Sequence, residues 1–379
     1  MQTFFELSQI AVGHRERLSN APSMREWGEL FDIAKHQSVA GVLFDAVKRL
    51  PEEQWPPKDI ALKWMATAEA IVKQNERTTV VCGKLTEKLN TDGFDVCILK
   101  GQANHVYYDR LREGLSKLRT CGDVDAWIKP TKPMRHPVRY IIEYLDGKRL
   151  IESLCHLHAE VKPLGNVPVE IHFRPSFFNA PWRDRCFKNL FKGDCFEACT
   201  IDNSVDIIKL RVDYDLIFQM NHIYRHLIDE GVGLRQVLDY YMLLKAYNKE
   251  TIISKRFMAR EEIRQHIYSC GMRRFSAALM YVLQVLFGMN GSEMLCRPSE
   301  RDGQLLLDEI MAAGNFGHYD TRMTALVVRK DHLLYQLQKA QRRFVRNIRF
   351  FTYYPEEVIC EPFTRIAHFL WRKCKLYRF

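Results

Sequence analysis

Asp123 and Asp125 stand two positions apart in Gly122-Asp123-Val124-Asp125-Ala126-Trp127-Ile128. In an extended strand, side chains alternate between faces. Asp123, Asp125 and Trp127 then point one way, and Val124, Ala126 and Ile128 point the other. The second set suits a core. The first places two carboxylates side by side, where they repel unless a cation or water lies between them. Paired carboxylates at the end of a buried strand are what a Mg²⁺-dependent phosphoryl-transfer site requires.

Three further features bear on the pair. Val169-Glu170-Ile171-His172-Phe173-Arg174 repeats the alternation, with Glu170, His172 and Arg174 on one face. As a neighbour of the Asp123 strand it would supply Glu170 as a third carboxylate. Three carboxylates can hold two Mg²⁺ ions about 3.5–4 Å apart. His172 would orient a phosphate or hydroxyl, and Glu160 on the preceding strand is a rival third ligand. Lys100-Gly101 stands at a strand-to-helix junction, where free N–H groups and a small residue let a phosphate approach. Arg119, four residues before Asp123, would neutralise triphosphate charge, with Lys117 as the alternative.

The elements that must position these residues follow from periodicity. Residues 1–80 read as helical, with breaks at Pro51 and Pro56-Pro57 and a long helix over 59–90. Residues 94–99 form a short apolar strand, followed by a helical stretch from Gln102 to about Leu111. A strand at Asp123, a helix near 136–147 and strands over 153–161 and 167–174 complete the central pattern. From about residue 205 the chain reads as helical again, in segments 206–229, 234–247, 255–269, 272–288, 302–313 and 321–351. The expected architecture is α+β, a small mixed-sheet core over 81–200 between helical regions at 1–80 and 201–379.

Composition narrows the classes. The chain of 379 residues is 47% hydrophobic and 27% charged, as a globular protein is. No apolar run reaches the roughly 18 residues of a membrane span, and the N-terminus has no signal-peptide pattern. A cytoplasmic location is expected. The 11 cysteines show no Cys-x-x-Cys pair, and Cys195 and Cys199 lack a second ligand pair at zinc spacing. His222 and His226 share a helix face, but Ile223 stands where a zincin needs Glu. His156 and His158 alternate on a strand and form a polar cluster with His172. Gly231-Val232-Gly233 lacks the spacing of a dinucleotide loop.

The net charge of +10 is uneven. Residues 329–379 carry twelve Lys/Arg against four Asp/Glu, an excess of eight. Over 331–351, Lys339, Arg342, Arg343, Arg346 and Arg349 fall near one helix face, and Leu334, Leu337, Val345, Ile348 and Phe351 near the other. The basic face suits a polyanion such as RNA, or an anionic membrane surface. The simplest expectation is that the apolar side packs on the domain and the basic face is solvated.

Leu99-Lys100-Gly101, Arg119, Gly122-Asp123-Val124-Asp125 and Val169-Glu170-Ile171-His172-Phe173, in that order, resemble a bacterial family of uncharacterised nucleotidyltransferases of the polymerase-β-like superfamily. Gly233-Leu234-Arg235-Gln236-Val237-Leu238-Asp239 is similar to its helical segment after the core. Gly314-Asn315-Phe316-Gly317 and Tyr354-Pro355-Glu356-Glu357-Val358 are similar to its longer members, so the resemblance spans about 25–375. It implies a mixed sheet flanked by helices, with Asp123, Asp125 and Glu170 as ligands of Mg²⁺ or Mn²⁺. It also implies attack on the α-phosphate of a nucleoside triphosphate, releasing pyrophosphate. Lys100-Gly101 replaces the usual Gly-Ser or Gly-Gly phosphate element, and Glu replaces the commoner third Asp. The acceptor is left open among a protein hydroxyl, an RNA end, a sugar and a small molecule. The alternative is a binding protein that keeps the fold without the chemistry and acts through its basic C-terminal helices.

Overall fold

The computed structural model describes residues 1–322 and 332–374. Among these, seven strands form one mixed sheet: β1 (Phe94–Ile98), β2 (Val124–Pro130), β3 (Ile151–Leu154), β4 (His158–Leu164), β5 (Val167–His172), β6 (Phe196–Ile201) and β7 (Val205–Leu210). Their order across the sheet is β3-β4-β5-β2-β1-β7-β6. β1 and β2 are antiparallel, with Ile98 opposite Ala126. β2 and β5 are parallel, with Asp125 beside Glu170 and Trp127 beside His172. This α+β architecture is the one expected.

Alternation divides the sheet into two faces. One carries Phe94, Val96, Ile98, Val124, Ala126, Ile128, Val169 and Ile171, and packs on Cys82, Leu85 and Leu89 and on Ile141, Ile142 and Leu145. Those partners come from the helices Lys58–Thr91 and Pro137–Gly147. The other face carries Cys97, Leu99, Trp127 and Leu210 into a larger core. That core joins N-terminal residues such as Phe4, Trp27 and Trp64 to C-terminal ones such as Met280 and Leu283. The two flanking helical regions are therefore packed together, not apart. Gln37 fastens them: its amide donates to the Ile310 carbonyl (2.9 Å) and accepts from the Leu234 N–H (3.0 Å).

The long helix Lys58–Thr91 crosses the boundary expected at residue 80 and serves both cores. Trp64 belongs to the larger one, and Cys82, Leu85 and Leu89 to the other. Between them, after Ala68, the buried positions are polar: Asn75, Thr78 and Thr79. This interruption lies against the loops that lead to Asp123.

Two expectations are corrected. Residues 206–210 are not helical; they belong to β7, which pairs with β6, and the helix begins at Val212. The alternation in Val205-Asp206-Ile207-Ile208-Lys209-Leu210 is masked because Lys209 is buried and Ile208 is exposed. The helix His332–Phe350 is also turned opposite to expectation. Arg346 is buried and donates to the carbonyls of Leu227 (3.0 Å) and Glu230 (3.1 Å), at and just past the C-terminal end of the helix Val212–Asp229. Arg349 pairs with Glu309, whereas Phe344 and Ile348 face outward. Of the residues 321–331 expected to begin this helix, 323–331 lie outside the described residues. Among the described residues no helix is long and apolar enough to cross a membrane.

Gly41 shows how tightly the N-terminal helices abut the site. A Cβ there would sit 2.2 Å from the Leu118 carbonyl oxygen, one residue before Arg119. Replacing a helical Gly by Ala ordinarily stabilises by about 1 kcal/mol. Gly41→Ala is expected to destabilise instead, by about 1–3 kcal/mol, because the backbone must move apart. Denaturant unfolding of the variant checks the sign.

Candidate active site

The site lies on the sheet face that meets the larger core, at the start of β2. Asp123 immediately precedes the strand, and Asp125 is its second residue. The parallel register brings Glu170 of β5 beside Asp125. Oxygens of Asp123, Asp125 and Glu170 lie within 4.8 Å of one another. Glu160 pairs with Glu170 across β4 and β5 but is exposed, one strand further from Asp125. Of the two rivals, it is Glu170 that joins the aspartates.

Two cations hold the cluster. The Lys100 ammonium contacts Asp125 Oδ2 and lies 3.4 Å from Asp123 Oδ1. His172 Nε2 lies 3.0 Å from Asp125 Oδ1 and 3.2 Å from Glu170 Oε2. Burial opposes the charge on His172, but hydrogen bonds to both carboxylates outweigh it and raise its pKa to about 9. The imidazolium therefore donates to both. Burial likewise opposes ionisation of Asp125, yet the Lys100 ammonium and His172 hold its carboxyl well below the usual range. Burial disfavours the Lys100 charge too, and Asp123 and Asp125 more than restore it. Glu170 is also lowered: the His172 hydrogen bond overcomes burial.

Lys100 is extended, and Gly101 takes a φ of +64°, which turns the chain beneath Asp123. A short 3-10 turn, Gly101–Asn104, and the five-residue helix His105–Asp109 follow. The stretch expected to run to Leu111 is thus broken and brief, and it offers little helix dipole. Asn75, fully buried on the long helix, holds this region. Its amide donates to the carbonyls of Lys117 (2.8 Å) and Arg119 (2.6 Å) and accepts from Gln102 (3.2 Å). Tyr107 donates to Asp215 (2.9 Å), whose pKa burial raises to about 7.

Arg119 is turned into the protein. Its Nε and Nη2 donate to the two oxygens of Asp239 at 2.7 and 2.6 Å, and Tyr108 donates to the same carboxylate at 2.7 Å. Lys117 is exposed. Arg119 still borders the cleft, but its charge is committed to Asp239; the other guanidinium there is Arg235, beside Lys100, Gly101, Asp123, His222 and Gln236. Arg235 is 9% exposed and donates to the Thr120 carbonyl (3.3 Å), but its Nε has no partner, and no described carboxylate forms an ion pair with it. Burial, then the neighbouring Arg119, lowers its pKa. Gln236 is 5% exposed with both amide atoms unpartnered. Both open the helix Leu234–Ile253. Sequence reasoning passed over Asn75, Asp239, Arg235 and Gln236 as site residues. Only the Gly233–Asp239 resemblance marked the last three.

His158 joins the edge of the cluster, its Nδ1 3.3 Å from Glu170. A nitrogen of His158, one of His172 and an oxygen of Glu170 also fall within 4.8 Å. His156 instead stacks on His368, ring centroids 3.2 Å apart. His222 borders the cleft, and His226 pairs with Glu230 at 2.8 Å.

A buried, doubly bonded Arg119–Asp239 pair is costly to break. Arg119→Met is expected to destabilise the fold by about 3–5 kcal/mol, read by urea unfolding without nucleotide. A guanidinium waiting in solvent for phosphate would leave that stability unchanged.

No curated protein and no solved structure matches the chain. The model of one family, described as uncharacterised nucleotidyltransferase, matches residues 23–288. Those residues contain the whole sheet, the acidic cluster, Arg235 and Gln236; the later motifs at Gly314 and Tyr354 fall beyond them. With more than half of its length matched, the chain belongs to the uncharacterised nucleotidyltransferase family.

Proposed function

We propose that this nucleotidyltransferase moves a nucleoside monophosphate from a nucleoside triphosphate to an acceptor, releasing pyrophosphate, with the help of Mg²⁺ or Mn²⁺. The observation that carries the reading is the convergence of Asp123, Asp125 and Glu170 within 4.8 Å. The donor set fits a hard divalent cation, which prefers carboxylate oxygens. Asp125 Oδ2 is buried without a hydrogen bond of good geometry, and a cationic side chain is already drawn to it. Asp123, Asp125 and Glu170 would hold the metal. When bound, the metal would activate the acceptor oxygen and neutralise charge on the triphosphate.

The chain's own groups have separate tasks. His172 fixes the orientation of Asp125 and Glu170 through one N–H. Lys100 balances the carboxylates and lies close enough to the cleft to meet a phosphate instead. Arg235 offers a desolvated guanidinium to the β- and γ-phosphates. Gln236 offers a donor and an acceptor to the sugar or base. Catalysis on this plan is positioning and electrostatics. A nucleoside triphosphate donor and free cysteines suit the cytoplasm.

Incubation with each α-labelled nucleoside triphosphate, Mg²⁺ or Mn²⁺ and a cell extract tests the reading. Label is expected on an acceptor with the wild type, and Asp123→Asn or Asp125→Asn is expected to lower it by at least about a hundredfold. Absence of both transfer and metal-dependent nucleotide binding would overturn it. Arg235→Met is expected to weaken triphosphate binding about tenfold to a hundredfold, the worth of a charged hydrogen bond. Equal affinity in a binding titration would remove Arg235 from the phosphate site.

A further inference from the structure

We infer that the C-terminal helical hairpin is a membrane-surface anchor that rests on an anionic lipid bilayer. The hairpin consists of His332–Phe350 and Pro355–Lys373, beyond the residues that the family model matches. On the first helix Leu337, Phe344 and Ile348 follow one another at steps of seven and four residues, and Phe351, just past its end, continues the exposed stripe. On the second, Ile359, Phe363, Ile366 and Leu370 form another at steps of four, three and four. Phe363 is 70% exposed and Phe344 65%. A helix on a globular protein ordinarily turns its apolar stripe to the core. Here Phe350, Tyr354 and Val358 enter the core at the bend, but along the helices polar groups dock too: Arg346 on the Leu227 and Glu230 carbonyls, Arg349 on Glu309, and Glu357 on the N–H groups of Asn179 and Ala180, which leaves the stripes outside.

Charge decides the occupant. Residues 329–379 hold an excess of eight positive charges. Three of their four carboxylates are spent on protein partners: Glu356 on Arg183, Glu357 as above, and Glu361 on Arg365 and Asn347; Arg346, Arg349 and Arg365 are spent on the protein likewise. The fourth, Asp331, lies outside the described residues. Arg372 and Lys373 are exposed at the end of the second helix, and no described carboxylate forms an ion pair with either. A second copy docked on this face would bring like charge against like charge. RNA would meet Phe, Ile and Leu where it needs cations. An anionic bilayer surface answers both features, taking the aromatic and aliphatic stripes at the acyl boundary and the exposed Arg372 and Lys373 at the headgroups. The hairpin reaches the strand connection two residues from the edge of the acidic cluster. His368 stacks on His156, and His158 lies 3.3 Å from Glu170.

The test is co-sedimentation of the full-length protein with vesicles, in the absence of nucleotide. It therefore reads the anchor independently of any transferase activity. The protein is expected to sediment with phosphatidylcholine–phosphatidylglycerol vesicles more than with phosphatidylcholine alone, and less as salt rises. Phe344→Ser combined with Phe363→Ser is expected to lower the partition coefficient about tenfold or more, with an unchanged melting temperature because both rings are exposed. Arg372→Gln combined with Lys373→Gln is expected to lower it several-fold and serves if the first variant folds poorly. The proposal is overturned by no binding to the anionic vesicles, or by binding that neither variant weakens. It is equally overturned by a solution dimer that the double Phe variant makes monomeric, or by RNA retention without vesicle binding.

Discussion

Three carboxylates gathered within 4.8 Å cannot stay ionised unless positive charge lies among them. At an effective dielectric constant of about 20, each such pair repels by roughly 3 kcal/mol, so the set rivals the net stability of a whole domain. The fold answers with Lys100 from the end of β1 and His172 from β5. Both are delivered by strands that border β2, so the sheet that brings the acids together also brings their counter-charges. The lowered pKa values of Asp125 and Glu170 and the raised one of His172 are two views of this balance. On the proposed function, a metal ion would take over part of the balancing that the side-chain cations do here.

Alternation made much of this visible in the sequence. Asp125, Glu170 and His172 each stand between apolar neighbours, and the period of two puts them on one face whatever the rest of the chain does. Which strands are neighbours, and in what register, is a long-range matter, so the choice between Glu160 and Glu170 rests on the pairing of β2 with β5, which sets Glu170 beside Asp125. The partners of Arg119 were illegible for the same reason. Asp239 lies 120 residues away, and nothing local marks it as the acceptor. Asn75 left a faint trace, a polar break in the apolar face of a long helix. β7 was misread because its Lys209 is buried against Tyr107 and Glu197, which inverts the usual sign of a strand pattern.

The inverted helix at His332–Phe350 is a related case. Its amphipathic period was legible, but period alone does not say which face meets the protein. Arginine can dock as well as leucine where carbonyls at a helix end need donors, as those of Leu227 and Glu230 find in Arg346. Where Glu309 and Asp320 add buried negative charge nearby, the basic face is the one drawn inward.

The two faces of the sheet have different duties, and this shapes how the site is held. The face with Val124, Ala126 and Ile171 is closed by apolar packing and sets the strand register. The face with Asp125 and Glu170 cannot be closed that way, because its charges need charged partners. It is covered by helices from both ends of the chain, and these bring the Arg119–Asp239 pair, Asn75 and Arg235. Those helices share one core with Phe4, Trp27, Trp64 and Met280, and Gln37 binds the first turn of the helix that carries Arg235 and Gln236. The wall opposite the acids is therefore fixed by the same packing that fixes the sheet. The distance between acids and guanidinium is a property of the folded body as a whole, which is what a reaction that relies on positioning requires.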